Sequence, residues 1–205
     1  MKIVGFVHID NEIKMVLKSD SSLMVNRKPF FIPDWSTDMR YVPCVVVRVC
    51  KLGKHISEKF ASRYYDSIAP AINIFAEDYR LAGDAIRAWA FDGSLPVGTF
   101  MNLDQYLPGD LIVDIDKAIC QVSQLMTIRQ GDLIFIERAV PACSLVREEV
   151  LSEQVETEEV LYCKIKYYET HIYIHIGMSS IFHNGGWGTY ICYAICIEHR
   201  NLCQG

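Results

Sequence analysis

The chain has 205 residues, enough for one domain that buries about 70% of its unfolded surface without disulfides. Hydrophobic residues make up 51% and charged residues 22%, which excludes a disordered chain. A net charge of -5 gives no electrostatic reason to expect nucleic acid or an anionic membrane as a partner.

The opening Met1-Lys2-Ile3-Val4-Gly5-Phe6-Val7 stops at His8 and Asp10, too early for a secretion signal, and reads as a first strand. No window holds the roughly 20 apolar residues a spanning helix needs, so a reducing cytoplasm is the expected compartment. The eight cysteines contain no CxxC pair and are then small buried hydrophobes without disulfides.

Phe30 to Trp35 is apolar but broken by Pro33, a loop or sheet edge. Val45 to Cys50 is a β-branched strand ending at the Lys51-Leu52-Gly53-Lys54 turn. Ser57 is placed to cap a helix with Phe60, Ala61, Tyr64, Tyr65 and Ile68 on its apolar face, stopped by Pro70. Glu77 and Asp78 read as the acidic start of a surface helix. After the turn at Leu107 to Asp110, Asp114 caps a second helix with Ile115, Ala118, Ile119, Val122 and Leu125 on one face.

Gly131 to Ile136 and Val160 to Lys166 read as strands, and the six glutamates between Arg147 and Glu159 as an exposed stretch. From Tyr167 the composition changes: lysine disappears, while four of the six histidines and three of the eight cysteines gather. Two domains follow, residues 1–166 and an appendage over 167–205. In the appendage His171 to Ile176 alternates as a strand, Asn184-Gly185-Gly186 turns, and Thr189 to Ile197 returns. Cys192, Cys196, His199 and Cys203 are zinc-type ligands, but crowded into one short segment rather than split into knuckles, so the set reads as free thiols on an apolar element.

Several phrases in chain order resemble the fumarylacetoacetate hydrolase (FAH) family, in the branch of hydroxyheptadienedioate isomerases, acylpyruvate hydrolases and oxaloacetate decarboxylases. They are Lys18-Ser19-Asp20-Ser21-Ser22-Leu23, Lys28 to Asp34, Lys54-His55-Ile56 through Arg63-Tyr64-Tyr65-Asp66, Ala90-Phe91-Asp92-Gly93-Ser94, and Met126-Thr127 with Gly131 to Phe135. The resemblance covers about Met1 to Lys166. It implies a mostly β, α+β architecture, a distorted barrel-like core of mixed sheets with few short helices, and a homodimer. It also implies a divalent metal, magnesium or manganese, held by a Glu-x-Glu pair and a later aspartate, which chelates a 2-oxo acid or acylpyruvate and stabilises the enolate formed on C–C cleavage or tautomerisation.

The metal positions fall on Val42, Cys44 and Asn73. Valine has no ligand atom, cysteine a soft sulfur and asparagine a neutral oxygen, so three formal negative charges are missing. The family lysine before Ala90 becomes Trp89, and the Thr-Gly-Thr-Pro turn becomes Ile136-Glu137-Arg138-Ala139. The N-terminal lid shrinks to about His8 to Lys14, with Asn11 in place of its histidine and Glu12 nearby, and a strand pair is skipped around Gly109 to Leu111.

Catalytic candidates are then His8 and Glu12, which with Asp10 could form a relocated acid/base set but ordinarily make a solvated loop. Candidate substrate contacts are Lys18, Asp92 and Gly93, the last two ordinarily a structural turn. Cys44 in a valine run ordinarily reads as inert core. The expected protein is a catalytically inactive relative of metal-dependent C–C bond hydrolases, isomerases and decarboxylases, with no cofactor and no small-molecule substrate assigned. The alternatives are an active enzyme with a site rebuilt from His8, Glu12, Glu77 or Asp92, and a decayed product that folds poorly.

Overall fold

The computed structural model describes residues 1–25, 27–167, 171–183 and 186–198, the last two segments at the level of the backbone. It divides into two compact units, Met1–Lys166 and Tyr167–Gly205.

In the first unit, β1 (Ile3–Ile9) turns back into β2 (Glu12–Lys18), and β3 (Leu23–Met24) and β4 (Phe30–Ile32) follow. The long β5 (Met39–Val49) and β6 (Tyr65–Ala76) form an antiparallel pair, and two single-turn helices, α1 (Glu77–Leu81) and α2 (Ala85–Trp89), lead to β7 (Leu95–Pro96). Next come α3 (Ile115–Leu125), β8 (Leu133–Glu137), β9 (Cys143–Ser144), β10 (Val150–Val155) and β11 (Glu158–Tyr167). The main sheet runs β2-β1-β8-β5-β6, with β9 added to β5; β1 and β8 are parallel and the other pairs antiparallel. A smaller sheet orders β10-β11-β4. The expected α+β mixed-sheet architecture is present, but among the described residues these sheets stay open instead of closing into a barrel.

Each strand lends alternate residues to two cores. Val4, Phe6, Val45, Val47, Ile134 and Ile136 pack with Ile115, Ala118, Ile119 and Val122 of α3. Ile3, Val7, Val42, Cys44, Val46 and Phe135 face the other way, toward Trp89 and Leu95. Leu125 is 64% exposed, so the apolar face of α3 is one residue shorter than its spacing implied. Gly5 is required opposite Phe135, whose ring atoms would lie 1.9 Å from an added Cβ.

One local expectation changes and two gain detail. The Ser57 helix is a single 3-10 segment, Glu58–Arg63, after which the chain enters β6; Tyr65 and Ile68 are strand residues, and Pro70 lies inside the strand. An unbroken apolar run suits a buried strand as well as a helix, and Ser67 through Ala76 is buried on both faces. Pro70 is tolerated because β6 ends the sheet order. The glutamate-rich stretch contains β10, paired with β11. The shortened lid is a tight hairpin turn, Asp10 and Asn11 at φ 52° and 64° between β1 and β2.

In the second unit, β12 (His171–His183) and β13 (Gly186–Glu198) pair antiparallel, with His171 opposite Glu198. Asn184, Gly185, His199 and Cys203, and the side chains of Cys192 and Cys196, lie outside the described residues. Among the described residues no helix is long and apolar enough to cross a membrane.

Candidate functional site

Strand register assembles the site. Val42 stands directly opposite Asn73 on β6, and Cys44 opposite Glu137 on β8, so all four side chains share one sheet face. Asn73 Nδ2 donates to Glu137 Oε1 at 2.7 Å, and the His8 backbone N–H donates to Glu137 Oε2 at 2.8 Å. Asn73 and Cys44 are fully buried and Glu137 is 2% exposed. Burial pushes the Glu137 carboxyl above its ordinary range against the pull of those two donors and of Lys18. It also pushes the Cys44 thiol well up, which keeps it protonated and inert at neutral pH. Asn73 Oδ1 is buried without a hydrogen-bond partner.

Lys18 lies on the same side but is spent on structure. Its Nζ donates to Ser94 Oγ at 2.9 Å and is surrounded by the carbonyls of Ile74, Trp89 and Ser94 at 3.0, 3.0 and 3.2 Å. Burial pulls its pKa down to about 7, against the opposing influence of Cys44 and Glu137.

Above Glu137 opens a cavity of roughly 140 Å³. Its polar lining is His8, Asp10, Arg40, Glu77, Arg80 and Glu137; Val42, Phe75 and Trp89 give it an apolar wall, the last two stacked at 5.0 Å between ring centroids. Glu77, expected at the surface, is buried and receives Arg80 Nε and NH2 at 2.5 and 2.9 Å. Its neighbour Asp78 caps the Ser36-Thr37 loop through Ser36 Oγ and Thr37 N.

Of the residues singled out by sequence, His8 reaches the cavity, while Glu12 pairs with Lys14 on the exposed hairpin and is not part of the lining. Asp92 is exposed and Gly93, at φ 69°, sits in a turn whose N–H donates to Ser21 O. Val42, Cys44 and Asn73 do converge, but with one carboxylate and one amide oxygen between them and Glu137 they do not fit a magnesium or manganese ion, which needs several hard oxygen ligands. Among the described residues no three His, Cys, Asp or Glu side chains are placed to hold a metal. Glu137, Arg40 and Arg80 line the cavity without being among the candidates the sequence offers. For Glu137 a signal existed: in β8 it has the parity of the buried Leu133 and Phe135.

No family model and no curated protein matches the chain. Solved structures do. Fumarylpyruvate hydrolase from Pseudomonas aeruginosa, solved with Mn2+ and pyruvate, superposes with a TM-score of 0.69 at 15% identity, covering 81% of this chain and 88% of that one. 2-Hydroxyhepta-2,4-diene-1,7-dioate isomerase from Mycobacterium marinum gives 0.70 at 19% identity, with 81% and 74% covered. 5-Carboxymethyl-2-hydroxymuconate delta-isomerase from Mycobacterium smegmatis gives 0.70 at 16%, with 81% and 78% covered. The chain therefore has the fold of this class of hydrolases and isomerases. That fold is the one implied by the fumarylacetoacetate hydrolase resemblance.

Proposed function

We propose that the chain is a member of the FAH family that has lost the family's divalent-metal chemistry and is retained for binding or assembly. One observation carries this reading: the Asn73–Glu137 hydrogen bond, with Val42 and Cys44 beside it, puts a protein-to-protein contact where the resemblance puts a metal and its carboxylates. Removing three carboxylates from a hard-cation site removes the charge that compensates dehydration of the ion, and one carboxylate from β8 does not restore it. As a family member the protein is proposed to be a cytoplasmic homodimer, which light scattering on the purified chain checks.

Calorimetric titration with magnesium and manganese, run beside assays of oxaloacetate decarboxylation and acylpyruvate hydrolysis, tests the loss of metal chemistry. The expected result is no saturable heat below millimolar metal and no turnover, from a protein with a sharp cooperative melt. Micromolar metal binding with turnover would overturn it.

A further inference from the structure

The end of the main sheet away from the cavity carries charge of the opposite sign to the whole chain. Arg48 to Asp66 holds five Lys and Arg residues against two acids, a net charge of +3 within a protein of net charge -5. Arg48 is paired with Asp66 at 3.1 Å, and the charge of Glu58 is felt by Lys117 on α3. Lys51, Lys54, Lys59 and Arg63 are exposed, and among the described residues none of the four pairs with a carboxylate.

Backbone bonds hold these cations at one end of the sheet. In the turn after β5, Gly53 and Ile128 exchange N–H···O bonds at 3.0 and 2.9 Å, and Gly53 sits so close to Tyr64 that an added Cβ would lie 2.5 Å from its ring. The Cys50 N–H donates to Tyr64 O at 2.8 Å and the His55 N–H to Ser123 O at 3.0 Å, which sets the Glu58–Arg63 segment between this turn and α3. On that segment Phe60 is 40% exposed, with Lys59 Nζ 4.8 Å and Arg63 Cζ 4.9 Å from its ring centroid. Leu52, on the turn, is 70% exposed. A cation resting on a ring keeps its N–H donors for a further acceptor, so the surface offers donors and apolar area side by side.

We propose that this surface docks an acidic peptide segment of a partner protein, its carboxylates on Lys51, Lys54, Lys59 and Arg63 and its leucine or aromatic side chains on Phe60 and Leu52. A peptide meets only the field within a Debye length of about 8 Å, where the local charge is positive. An extended anionic membrane or nucleic acid also meets the negative remainder of the chain, which repels it. The surface gives the proposed binding role a partner, yet it stands apart from the metal question. Cys44 lies beside Glu137, and the extended run from there to Lys51 spans about 20 Å, so the outcome of the metal titration does not bear on it.

The test adds full-length protein to a fluorescein-labelled peptide of about ten residues, glutamate alternating with leucine and phenylalanine, and follows anisotropy. Saturation is expected, with affinity falling about tenfold between ~50 and ~300 mM salt. The same peptide with glutamine in place of glutamate, and polyglutamate of equal length, should each bind at least about tenfold more weakly. Lys59→Glu/Arg63→Glu and, separately, Lys51→Glu/Lys54→Glu change exposed side chains only, so each should keep a cooperative melt and lose about tenfold in affinity. No saturation below about 1 mM protein, equal affinity for either control peptide, or unchanged affinity in either folded variant overturns the proposal. Tighter binding to phosphatidylcholine vesicles containing phosphatidylserine than to the peptide would make the face a membrane surface and overturn it. A dimer in sedimentation that both charge-reversed variants abolish would make it an interface between copies of this chain, and overturn it equally.

Discussion

The two faces of the main sheet are made by alternate residues of the same strands, yet they are held by different physics. Toward α3, Val45, Val47, Ile134 and Ile136 meet Ile119 and Val122 in an apolar cluster whose carboxylate contacts are made by tyrosine hydroxyls, Tyr65 to Asp116 and Tyr106 to Glu153. Toward Trp89, the same strands present Cys44, Asn73 and Glu137, with Lys18 nearby, so buried polar groups are interleaved with Val46 and Phe135. The first face depends on volume and apolar area. The second depends on whether each donor and acceptor keeps its partner.

The largest effect is expected on the apolar face. Ile119→Ala removes fully buried atoms from beneath α3 and should cost about 3 kcal/mol, read as a lower urea midpoint with an unchanged slope. That loss should be the same at pH 5 and pH 8, because neither Ile119 nor the valines and isoleucines around it ionise. A pH-dependent loss would show that the two faces are not separable.

On the polar face, Glu137→Leu strands Asn73 Nδ2 and the His8 N–H, with an expected cost of about 2 kcal/mol. Folding raises the Glu137 pKa, so the native chain holds the proton more tightly, and wild-type stability from this group falls as pH rises above its ordinary 4.5. The cost of Glu137→Leu is therefore largest on the acid side and shrinks toward neutral pH. Adding Asn73→Leu should recover part of the loss, since both partners are then apolar. A double variant as unstable as the sum of the singles would break the paired-donor account.

These two faces were not equally legible in the sequence. The α3 face was, because Ile115, Ala118, Ile119 and Val122 repeat at helical spacing and Asp114 marks the start; only Leu125 was misassigned to it. Cys44 was read as inert core and is buried with its thiol pKa raised. Glu137 stands where the resembled family has a turn glycine, just past the expected Gly131–Ile136 strand, and its carboxylate reaches the site because β8 continues one residue further. Arg40 and Arg80 were invisible for another reason: their meeting depends on β6, and that strand was hidden by Tyr64, Tyr65 and Ile68 at helical spacing and by Pro70. Without β6, neither the Val42–Asn73 register nor the approach of Glu77 to Arg40 can be drawn.

A smaller effect separates the faces by titration. Folding lowers the Lys18 pKa from 10.5 to about 7, so between those values the unfolded chain holds more protons and stability rises with pH. Chemical denaturation of wild type and Lys18→Met across pH 6 to 10 should give a difference that moves in the wild type's favour as pH climbs. A flat difference would place Lys18 in contact with water in the native state. The contribution is partly offset at the alkaline end by Cys44, whose raised pKa acts with the opposite sign, so the difference between the two proteins is the quantity to compare.

The smallest expected signal is at Cys44 itself. It is fully buried between valines, its thiol pKa is pushed well up, and nothing in the cavity lining exposes it. Reaction requires the thiolate and access to reagent, and Cys44 offers neither. Brief treatment of native protein with a thiol-alkylating reagent, read by peptide mass, should modify the exposed Cys143 and leave Cys44 unmodified until denaturant is added. Rapid labelling of Cys44 under native conditions would mean that the polar face opens to solvent on its own, through the same strands whose apolar side stays closed over α3.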